Sequence, residues 1–108
     1  MKSVFNYLMI TILVLPLSAD HLFASTYNVK DYGAAGDGTS LDSPAINKAI
    51  IAASEAGGGT IYFPAGTYLS FSIRLKSHIG LYLDHGAVIL AASHEEHEGG
   101  YDAPESNA

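Results

Sequence analysis

The sequence predicts an all-β solenoid, in which parallel coils stack on one another, with one α-helix covering the first end of the stack. Three observations lead to this prediction. Short β-type runs fill the chain from Thr60 to Ala92. A nine-residue pattern within these runs recurs after 20 residues. A single amphipathic helix precedes them.

The first 24 residues predict a secretory signal peptide. Lys2 is the only charge before an apolar run over residues 7–17, and small residues follow that run. Such a run is short for a membrane-spanning helix and is typical of a signal peptide. Cleavage is expected after Ala19 or Ala24, and an N-terminal membrane anchor is the alternative. We therefore expect a secreted or periplasmic protein with no stable membrane insertion after cleavage.

Composition limits both the core and the partners. The 108 residues argue for one domain at most, and the chain has no cysteine, so no disulfide supports a small core. We therefore do not expect residues 25–108 to form an independent, finished domain. The net charge is −6 and the cations after the leader are scattered, which excludes nucleic-acid binding and argues against a grip on a polyanion. These cations are Lys30, Lys48, Arg74 and Lys76.

The stretch after the leader is short of regular structure. TYNV, residues 26–29, alternates well enough for a short strand. DYGAAGDGTS, residues 31–40, is rich in turn residues, and Gly33, Gly36 and Gly38 can take positive φ at low steric cost. No Gly-Lys-Ser or Gly-Lys-Thr follows these glycines, so a phosphate-binding loop is not predicted.

Residues 42–56, DSPAINKAIIAASEA, predict the one clear helix. Ser43 is the expected N-cap and Pro44 the first helical residue, where its missing N–H costs nothing. Three glycines, residues 57–59, end the pattern. One face is apolar at helical spacing and must cover an apolar surface, which predicts a capping helix over about residues 43–56. That face consists of Ile46, Ala49, Ile50 and Ala53.

The chain after the helix divides into five short strand-like runs, which are TIYF, TYLSF, SIRL, IGLYL and AVILAA. IYFPAGTYL, residues 61–69, lies on LYLDHGAVI, residues 81–89, when it is shifted by 20 positions. In a parallel solenoid, equivalent positions of successive coils lie above one another at strand spacing. An antiparallel sandwich, which does not require a fixed phase, is the alternative.

The repeat predicts which residues face inward. Ile61 over Leu81 and Phe63 over Leu83 are expected to line the interior, and Tyr62 is expected to lie over Tyr82 outside. The same shift pairs Tyr68 with Val88 and Leu69 with Ile89, and it places Gly66 over Gly86 at one corner. The stretch TIYFPAGTYLS is therefore expected to be the first full coil of the stack, just after the capping helix.

Three blocks of the sequence also carry a family resemblance. They are YNVKDYGAAGDGTSLDSPAINKAI, AGGGTIYFPAGTYL and IRLKSHIGLYLDHGAVILAAS. From Tyr27 to about Ser93 the chain resembles the N-terminal part of right-handed parallel β-helix proteins of the pectin lyase-like superfamily, in particular the polygalacturonases of glycoside hydrolase family 28. Pectate lyase-like, tailspike-like and epimerase-like β-helices share the opening block and the GGG-Y-FP-GTY block.

The resemblance implies inverting hydrolysis of α-1,4 galacturonosyl linkages in pectin, which needs an acid and a carboxylate on opposite sides of the sugar. The family carries these acids in Asn-Thr-Asp and Asp-Asp motifs, with Gly-His-Gly and Arg-Ile-Lys for positioning and substrate binding. None of the four motifs occurs here. We therefore assign no catalytic residue, no cofactor-binding residue and no metal ligand, and we expect this chain alone to be inactive. Pectic polysaccharide is the implied partner, bound through later coils.

Several polar residues have structural interpretations that we prefer. Asp31, Asp37, Asp42 and Asp84 match entry and turn positions of the family rather than its acids. Asp37 lies between two glycines and is expected in a turn, whereas Asp42 complements the helix dipole.

Structural interpretations are also preferred for the histidines and the last two cations. His94 and His97, beside Glu95, Glu96 and Glu98, lack the H-E-x-x-H spacing of a metal site, and a solvated acidic loop is the simpler interpretation. His78 and His85 are expected on exposed turns. Arg74 and Lys76 alternate on IRLK, residues 73–76, and are expected to share a strand face, with a substrate-binding role as the alternative.

The predicted organisation is a signal peptide over residues 1–24, a cap and first coils over residues 25–93, and an acidic polar loop over residues 94–108. An open apolar end after AVILAA predicts that residues 25–108 alone fold poorly or aggregate. Three classes compete for the parent: a hydrolase, a lyase with Ca²⁺ bound by carboxylates, and a non-catalytic module for attachment or assembly. The run LKSHIGLYLDHGAVIL favours the hydrolase.

Overall fold

A computed structural model describes residues 25–104 of the chain, and the predicted signal peptide lies outside the described residues. Within these residues, six short strands, one 3₁₀ helix and one α-helix follow one another. Their bounds are β1 Thr26–Asn28, the 3₁₀ helix Val29–Tyr32, β2 Asp37–Leu41, α1 Ser43–Glu55, β3 Gly59–Phe63, β4 Gly66–Ser70, β5 Ile79–Leu83 and β6 Ala87–Ala91. Within residues 25–104, no helix is both long and apolar enough to cross a membrane.

The strands form two parallel sheets. The first sheet has the order β1-β3-β5 and the second has the order β2-β4-β6. Each strand of the first sheet is followed in the chain by a strand of the second, so three coils are stacked, beginning at β1, β3 and β5. Every pairing is parallel. The predicted β-solenoid is therefore confirmed, and the antiparallel sandwich is excluded.

The predicted register holds in the first sheet and fails by one residue in the second. Ile61 pairs with Leu81 and Phe63 with Leu83, a shift of 20. In the second sheet Tyr68 pairs with Ile89, a shift of 21, so the pairing with Val88 was wrong. The corners explain the difference, because two residues, Pro64 and Ala65, join β3 to β4, whereas three join β5 to β6.

The same extra residue corrects the predicted corner. Leu69 pairs with Leu90 rather than with Ile89, and Gly66 pairs with Ala87 rather than with Gly86. The two glycines still meet, since the Gly66 N–H donates to the Gly86 carbonyl at 3.0 Å. A Cβ on Gly66 would lie 2.8 Å from the Gly36 carbonyl oxygen, so the corner has room for glycine only.

The core lies between the two sheets and α1. Ile61, Phe63 and Tyr68 point inward and are fully buried, as predicted for the first two, and the Phe63 and Tyr68 rings meet edge to face at 5.3 Å. One coil further on, Leu81 and Leu83 are 37% and 41% exposed. Among residues 25–104, β5 and β6 have a strand on one side only, and this leaves the inward-facing leucines of the last coil partly uncovered.

Helix α1 covers the interior of the first coil with the predicted face. Its four apolar residues Ile46, Ala49, Ile50 and Ala53 have no exposed surface, and they share one core with Val29, Ile61 and Phe63. The helix is inserted between β2 and β3, so β1 and β2 already form a coil before it. TIYFPAGTYLS is thus the second coil, not the first.

The helix ends differ slightly from the prediction. Asp42, not Ser43, is the N-cap residue, and its side chain makes no capping hydrogen bond. The Ser43 hydroxyl is used elsewhere, because it accepts the Phe71 N–H at 3.3 Å. At the other end Gly57 has φ of 99°, and Gly58 donates its N–H to Ala53 O at 2.8 Å. This is the Schellman geometry, and the helix ends at the glycine run, as predicted.

Two predicted strand assignments need correction. The turn-rich stretch before the helix contains β2, which pairs with β4 through an irregular register in which Asp37 faces Thr67 and Leu41 faces Leu69. Strand β2 escaped prediction because Asp37 and Gly38 are of residue types that are depleted in strands. The SIRL run, in contrast, is not a strand. Its residue Arg74 donates its backbone N–H to the Asn47 side chain at 2.8 Å instead of to a neighbouring strand.

Candidate functional site

The coils have a third side that is not a sheet. It joins each strand of the second sheet to the next strand of the first, and it consists of residues 42–58 in the first coil, residues 71–78 in the second and residues 92–104 in the third. We call this the third side. Because parallel pairing is absent from it in the described residues, other bonds must hold its layers together.

Side chains hold the layers of the third side. Asn47, on α1, donates to the Ser72 carbonyl at 3.0 Å and accepts from the Arg74 N–H at 2.8 Å. The Arg74 guanidinium donates to both carboxylate oxygens of Asp102 at 2.8 Å each. The Asp102 N–H donates to the Ser72 hydroxyl at 2.8 Å. One chain of contacts therefore links all three coils.

A cleft of about 460 Å³ opens on the third side, between α1, residues 71–74 and residues 98–100. The exposed face of α1 supplies Pro44, Lys48 and Ile51 to one wall. Phe71, Arg74 and Glu98 are also among the lining residues. Cavities that bind small molecules span roughly 300–1,000 Å³, so this cleft is large enough for a ligand.

The charged groups of the cleft differ in how far they are paired. The bidentate contact raises the pKa of Arg74 and lowers the pKa of Asp102, through their mutual hydrogen bonds first and their charges second. Lys48 has no hydrogen-bond or ion-pair partner among residues 25–104. The cations that looked scattered in the sequence thus include two, Lys48 and Arg74, that line one cleft.

The predicted acidic loop is only partly a solvated loop. The His94 ring packs against Phe71 at 5.5 Å and Tyr101 at 5.6 Å, and Phe71 and Tyr101 meet edge to face at 5.1 Å. The Tyr101 hydroxyl donates to the Ala92 carbonyl at 2.9 Å. The segment after the three glutamates therefore folds back onto the coils. In residues 25–104 no three metal-ligating side chains come together, at His97 or elsewhere.

The aspartates occupy structural positions. Asp42 is buried, and its two oxygens accept the N–H groups of Ala35 and Gly36, each at 2.9 Å. A carboxylate of the chain itself thus lies where the glycine-rich loop presents its amides. Asp31 lies exposed in the 3₁₀ helix.

Asp37 forms the predicted turn, accepting from Ser40 N at 2.8 Å and Thr39 N at 3.0 Å. These hydrogen bonds, that from the Ser40 N–H first, hold the pKa of Asp37 far below its ordinary value. The bonds also close the bulge of β2, since they tie together the residues between its two paired positions.

Asp84 belongs to the outer face of the first sheet. It accepts the Tyr62 hydroxyl at 2.5 Å and the His85 N–H at 2.8 Å. The Tyr62 hydrogen bond lowers the pKa of Asp84 and raises the pKa of Tyr62. Tyr62 and Tyr82 stack with their centroids 5.9 Å apart, as the repeat predicted for two outward residues.

Both turn histidines lie where the sequence placed them. His78 and His85 are exposed on turns between strands. His78 has φ of 63° and is the one residue other than glycine in the described chain with positive φ. Its carbonyl accepts the Gly59 N–H at 3.0 Å, so the turn is held by the neighbouring coil.

Sequence reasoning missed the contacts of Asn47 and Asp102. Asn47 offered a weak signal, because asparagine is a poor helix former inside an otherwise Ala- and Ile-rich helix. Asp102 offered none, since its partner Arg74 lies 28 positions away. Arg74 and Lys76 were expected to share a strand face. This was wrong, because residues 72–78 form no strand, although both side chains are exposed.

Stacked parallel coils with a helix over the first end define the class of right-handed parallel β-helix proteins. The family model of rhamnogalacturonase A/epimerase, pectate lyase-like proteins matches residues 26–103. The chain therefore belongs to this family. The predicted membership of the pectin lyase-like superfamily is confirmed.

Known proteins of different function resemble the chain. It is 67% identical over 42 residues to mannuronan C5-epimerase AlgE1 of Azotobacter vinelandii, which is 39% of this chain and 3% of that protein. It is 55% identical over 65 residues to plasmin and fibronectin-binding protein A of Streptococcus pneumoniae, 58% of this chain and 9% of that protein. The solved family 28 exopolygalacturonase of Yersinia enterocolitica superposes with a TM-score of 0.61 at 38% identity, over 65% of this chain and 12% of that one.

The chain is short beside these relatives. It spans from 2% to 9% of the length of the curated relatives that it matches. The similarity therefore concerns the cap and first coils, and activity, substrate and partners of a whole protein are matters for proposal.

Proposed function

We propose that residues 25–93 form the N-terminal cap and first coils of an extracellular β-helix protein that acts on an acidic polysaccharide. The observation that carries the proposal is the family match over residues 26–103, which includes the buried face of α1 and both sheets. A solenoid needs such a cap, because its first coil otherwise exposes apolar surface and strand edges. The signal peptide over residues 1–24 and the acidic loop over residues 94–108 complete the proposed organisation.

For the parent activity we propose a polygalacturonase-like glycoside hydrolase acting on pectin. The likeness to the family 28 exopolygalacturonase supports it, since it extends over 65% of this chain at 38% identity. The three sequence blocks that resemble this family point the same way.

An epimerase or lyase is the second candidate. The identity of 62–67% with mannuronan C5-epimerases, although confined to 42–45 residues, favours it. Both activities concern uronate polymers, so the acidic polysaccharide is common to the two candidates. Extracellular location fits either one, and the predicted signal peptide supports it.

We propose that the chain by itself does not catalyse the reaction. An inverting glycosidase needs two carboxyl groups roughly 6.5–9.5 Å apart on opposite sides of the sugar. Asp42, Asp84 and Asp102 each hold backbone or side-chain donors of the fold. Reducing-end release from polygalacturonate by the purified chain would contradict this.

A cap exchange tests the proposed function. Residues 26–93 would replace the matched segment of the Yersinia exopolygalacturonase and, separately, that of the AlgE4 epimerase module from Azotobacter. We expect a soluble, cooperatively unfolding chimera that retains activity with the hydrolase, and a less stable one with the epimerase. The reverse order would favour the second candidate, and loss of folding in both chimeras would refute the capping role. An Ile50→Asp chimera, which places a charge in the buried helix face, is the control and should not fold.

A further inference from the structure

We propose that the cleft on the third side binds one uronate unit of an acidic polysaccharide, with Lys48 and Arg74 recognising its carboxylate. This inference rests on the proposed function, which supplies the polymer class. The binding site itself is argued from the cleft, whose volume of about 460 Å³ suits a sugar unit rather than a long stretch of polymer.

The free donors of the cleft are cationic. Lys48 has no partner among residues 25–104, so its three N–H donors are available. Arg74 uses Nε and Nη2 for Asp102, and this leaves Nη1 to donate. A guanidinium and an ammonium on the lining of one cleft suit a carboxylate ligand.

Two neutral polar side chains of the cleft already bond the fold. Both ends of the Asn47 amide bond the second coil, and the Ser43 hydroxyl accepts the Phe71 N–H. The strongest unused donors of the cleft are therefore those of the two cations. This explains why an anion, rather than a neutral sugar, is the expected ligand.

The remaining lining argues for a sugar acid over a small inorganic anion. Pro44 and Ile51 give apolar surface on the helix side, and Ile51 is 46% exposed. The C–H groups of a pyranose ring can cover such surface, whereas phosphate would leave it wet. Glu98 can accept hydroxyl groups of the same sugar.

The carboxylates beside the cleft limit how much of the polymer enters it. Glu98 lines the cleft and Asp102 neutralises part of Arg74. One uronate carboxylate is therefore expected to meet the two cations, while the neighbouring units of the polymer stay in solvent, away from this negative charge. The net charge of −6, which argues against a grip on a polyanion along the whole chain, is therefore compatible with one local uronate site.

Lysine footprinting of the full chain tests the site directly. The chain would be acetylated with an amine-reactive reagent in the absence and presence of trigalacturonate, and mass spectrometry would give the rate at each lysine. We expect trigalacturonate to slow acetylation of Lys48 by about fivefold and to leave Lys30 and Lys76 unchanged. The readout is made per residue, so it does not require a monomeric chain.

Two sugars sharpen the test. Trimannuronate carries the same charge and should also protect Lys48, whereas neutral galactotriose should not. Equal protection by galactotriose would overturn the assignment to an acidic sugar. Absence of any protection, or equal protection of Lys30, Lys48 and Lys76, would overturn the site.

Two variants of identical net charge provide the matched comparison. Lys48→Glu removes the cleft cation, and Lys76→Glu reverses an exposed cation of the third side that does not line the cleft. On immobilised polygalacturonate we expect Lys48→Glu to weaken binding about tenfold and Lys76→Glu to change it less than about twofold. Equal weakening would show diffuse attraction and refute the site.

The outcomes separate this site from the proposed function. Protection of Lys48 together with inactive, unfolded chimeras would support the site and refute the cap. Active chimeras without Lys48 protection would support the cap and refute the site.

Discussion

The two sheets and the third side hold the same three coils together by different means. In the sheets, backbone hydrogen bonds stack strand on strand, and the five residues of β3 and β5 pair without interruption. On the third side, Asn47, Arg74 and Asp102 connect the layers through side chains. A backbone ladder tolerates many side chains, whereas a side-chain ladder depends on each residue in it. The cleft lies where the backbone ladder is missing.

The largest loss of stability is expected from a substitution in the core between the two sheets. Phe63→Ala should destabilise the chain by about 3–5 kcal/mol, because it removes a fully buried ring that packs on Tyr68. Leu83→Ala, at the paired position one coil further on, should cost about 1 kcal/mol, since Leu83 is 41% exposed. Urea unfolding followed by tyrosine fluorescence measures both. Equal losses would mean that the last coil is as well covered as the second.

The sequence predicted the two sheets and the helix that covers them well. The 20-residue repeat fixed the register of β3 and β5, and helical spacing fixed the buried face of α1, because both follow from local periodicity. The one-residue slip in β4 and β6 escaped, since it depends on the corner Asp84-His85-Gly86, whose length a match of apolar residues does not test.

The third side was not predictable in the same way. Its contacts join residues more than 20 positions apart and have no period, as with Arg74 and Asp102. The sequence placed Lys48 and Arg74 among scattered cations, and only the fold brings them to one cleft. Periodicity reports burial against a neighbouring layer, but it cannot report which polar side chains meet.

The second-largest loss of stability is expected in the glycine-rich turn of the first coil. Asp42→Asn should cost about 2–3 kcal/mol, because the amide keeps one acceptor and turns its NH₂ toward a backbone N–H that it cannot satisfy. Asp37→Asn, five positions earlier, is the control. We expect a smaller loss there, since Asp37 is exposed and water replaces its bonds. Thermal unfolding shows which variant loses more stability. A larger loss for Asp37→Asn would contradict the view that the Asp42 carboxylate holds the glycine-rich turn in place.

A smaller effect of opposite sign is expected at the turn between β4 and β5. His78→Gly should stabilise the chain by about 0.5–1 kcal/mol, because positive φ costs histidine more than glycine. His85→Gly, at a turn residue that does not itself have positive φ, should destabilise by a similar amount through the added freedom of the unfolded chain. Unfolding midpoints in urea measure both. A loss of stability in His78→Gly would show that the side chain contributes more than the strain.

The smallest effect on global stability, and the most local one, is expected from Arg74→Gln on the third side. The variant removes the bidentate contact with Asp102 and should speed hydrogen exchange over residues 98–104 while leaving β3 and β5 protected. Because Arg74 lowers the pKa of Asp102, the contact stabilises the fold above the unfolded pKa of about 3.9 and is lost as pH falls below it.

Wild-type exchange over residues 98–104 should therefore rise beyond the intrinsic pH dependence as the pH falls below about 3.9, and that of Arg74→Gln should not. Asp102→Asn should behave like Arg74→Gln at every pH. A variant whose strands open together with this segment would mean that the side-chain ladder and the backbone ladder form one cooperative unit, and the contrast between the two regions would then fail.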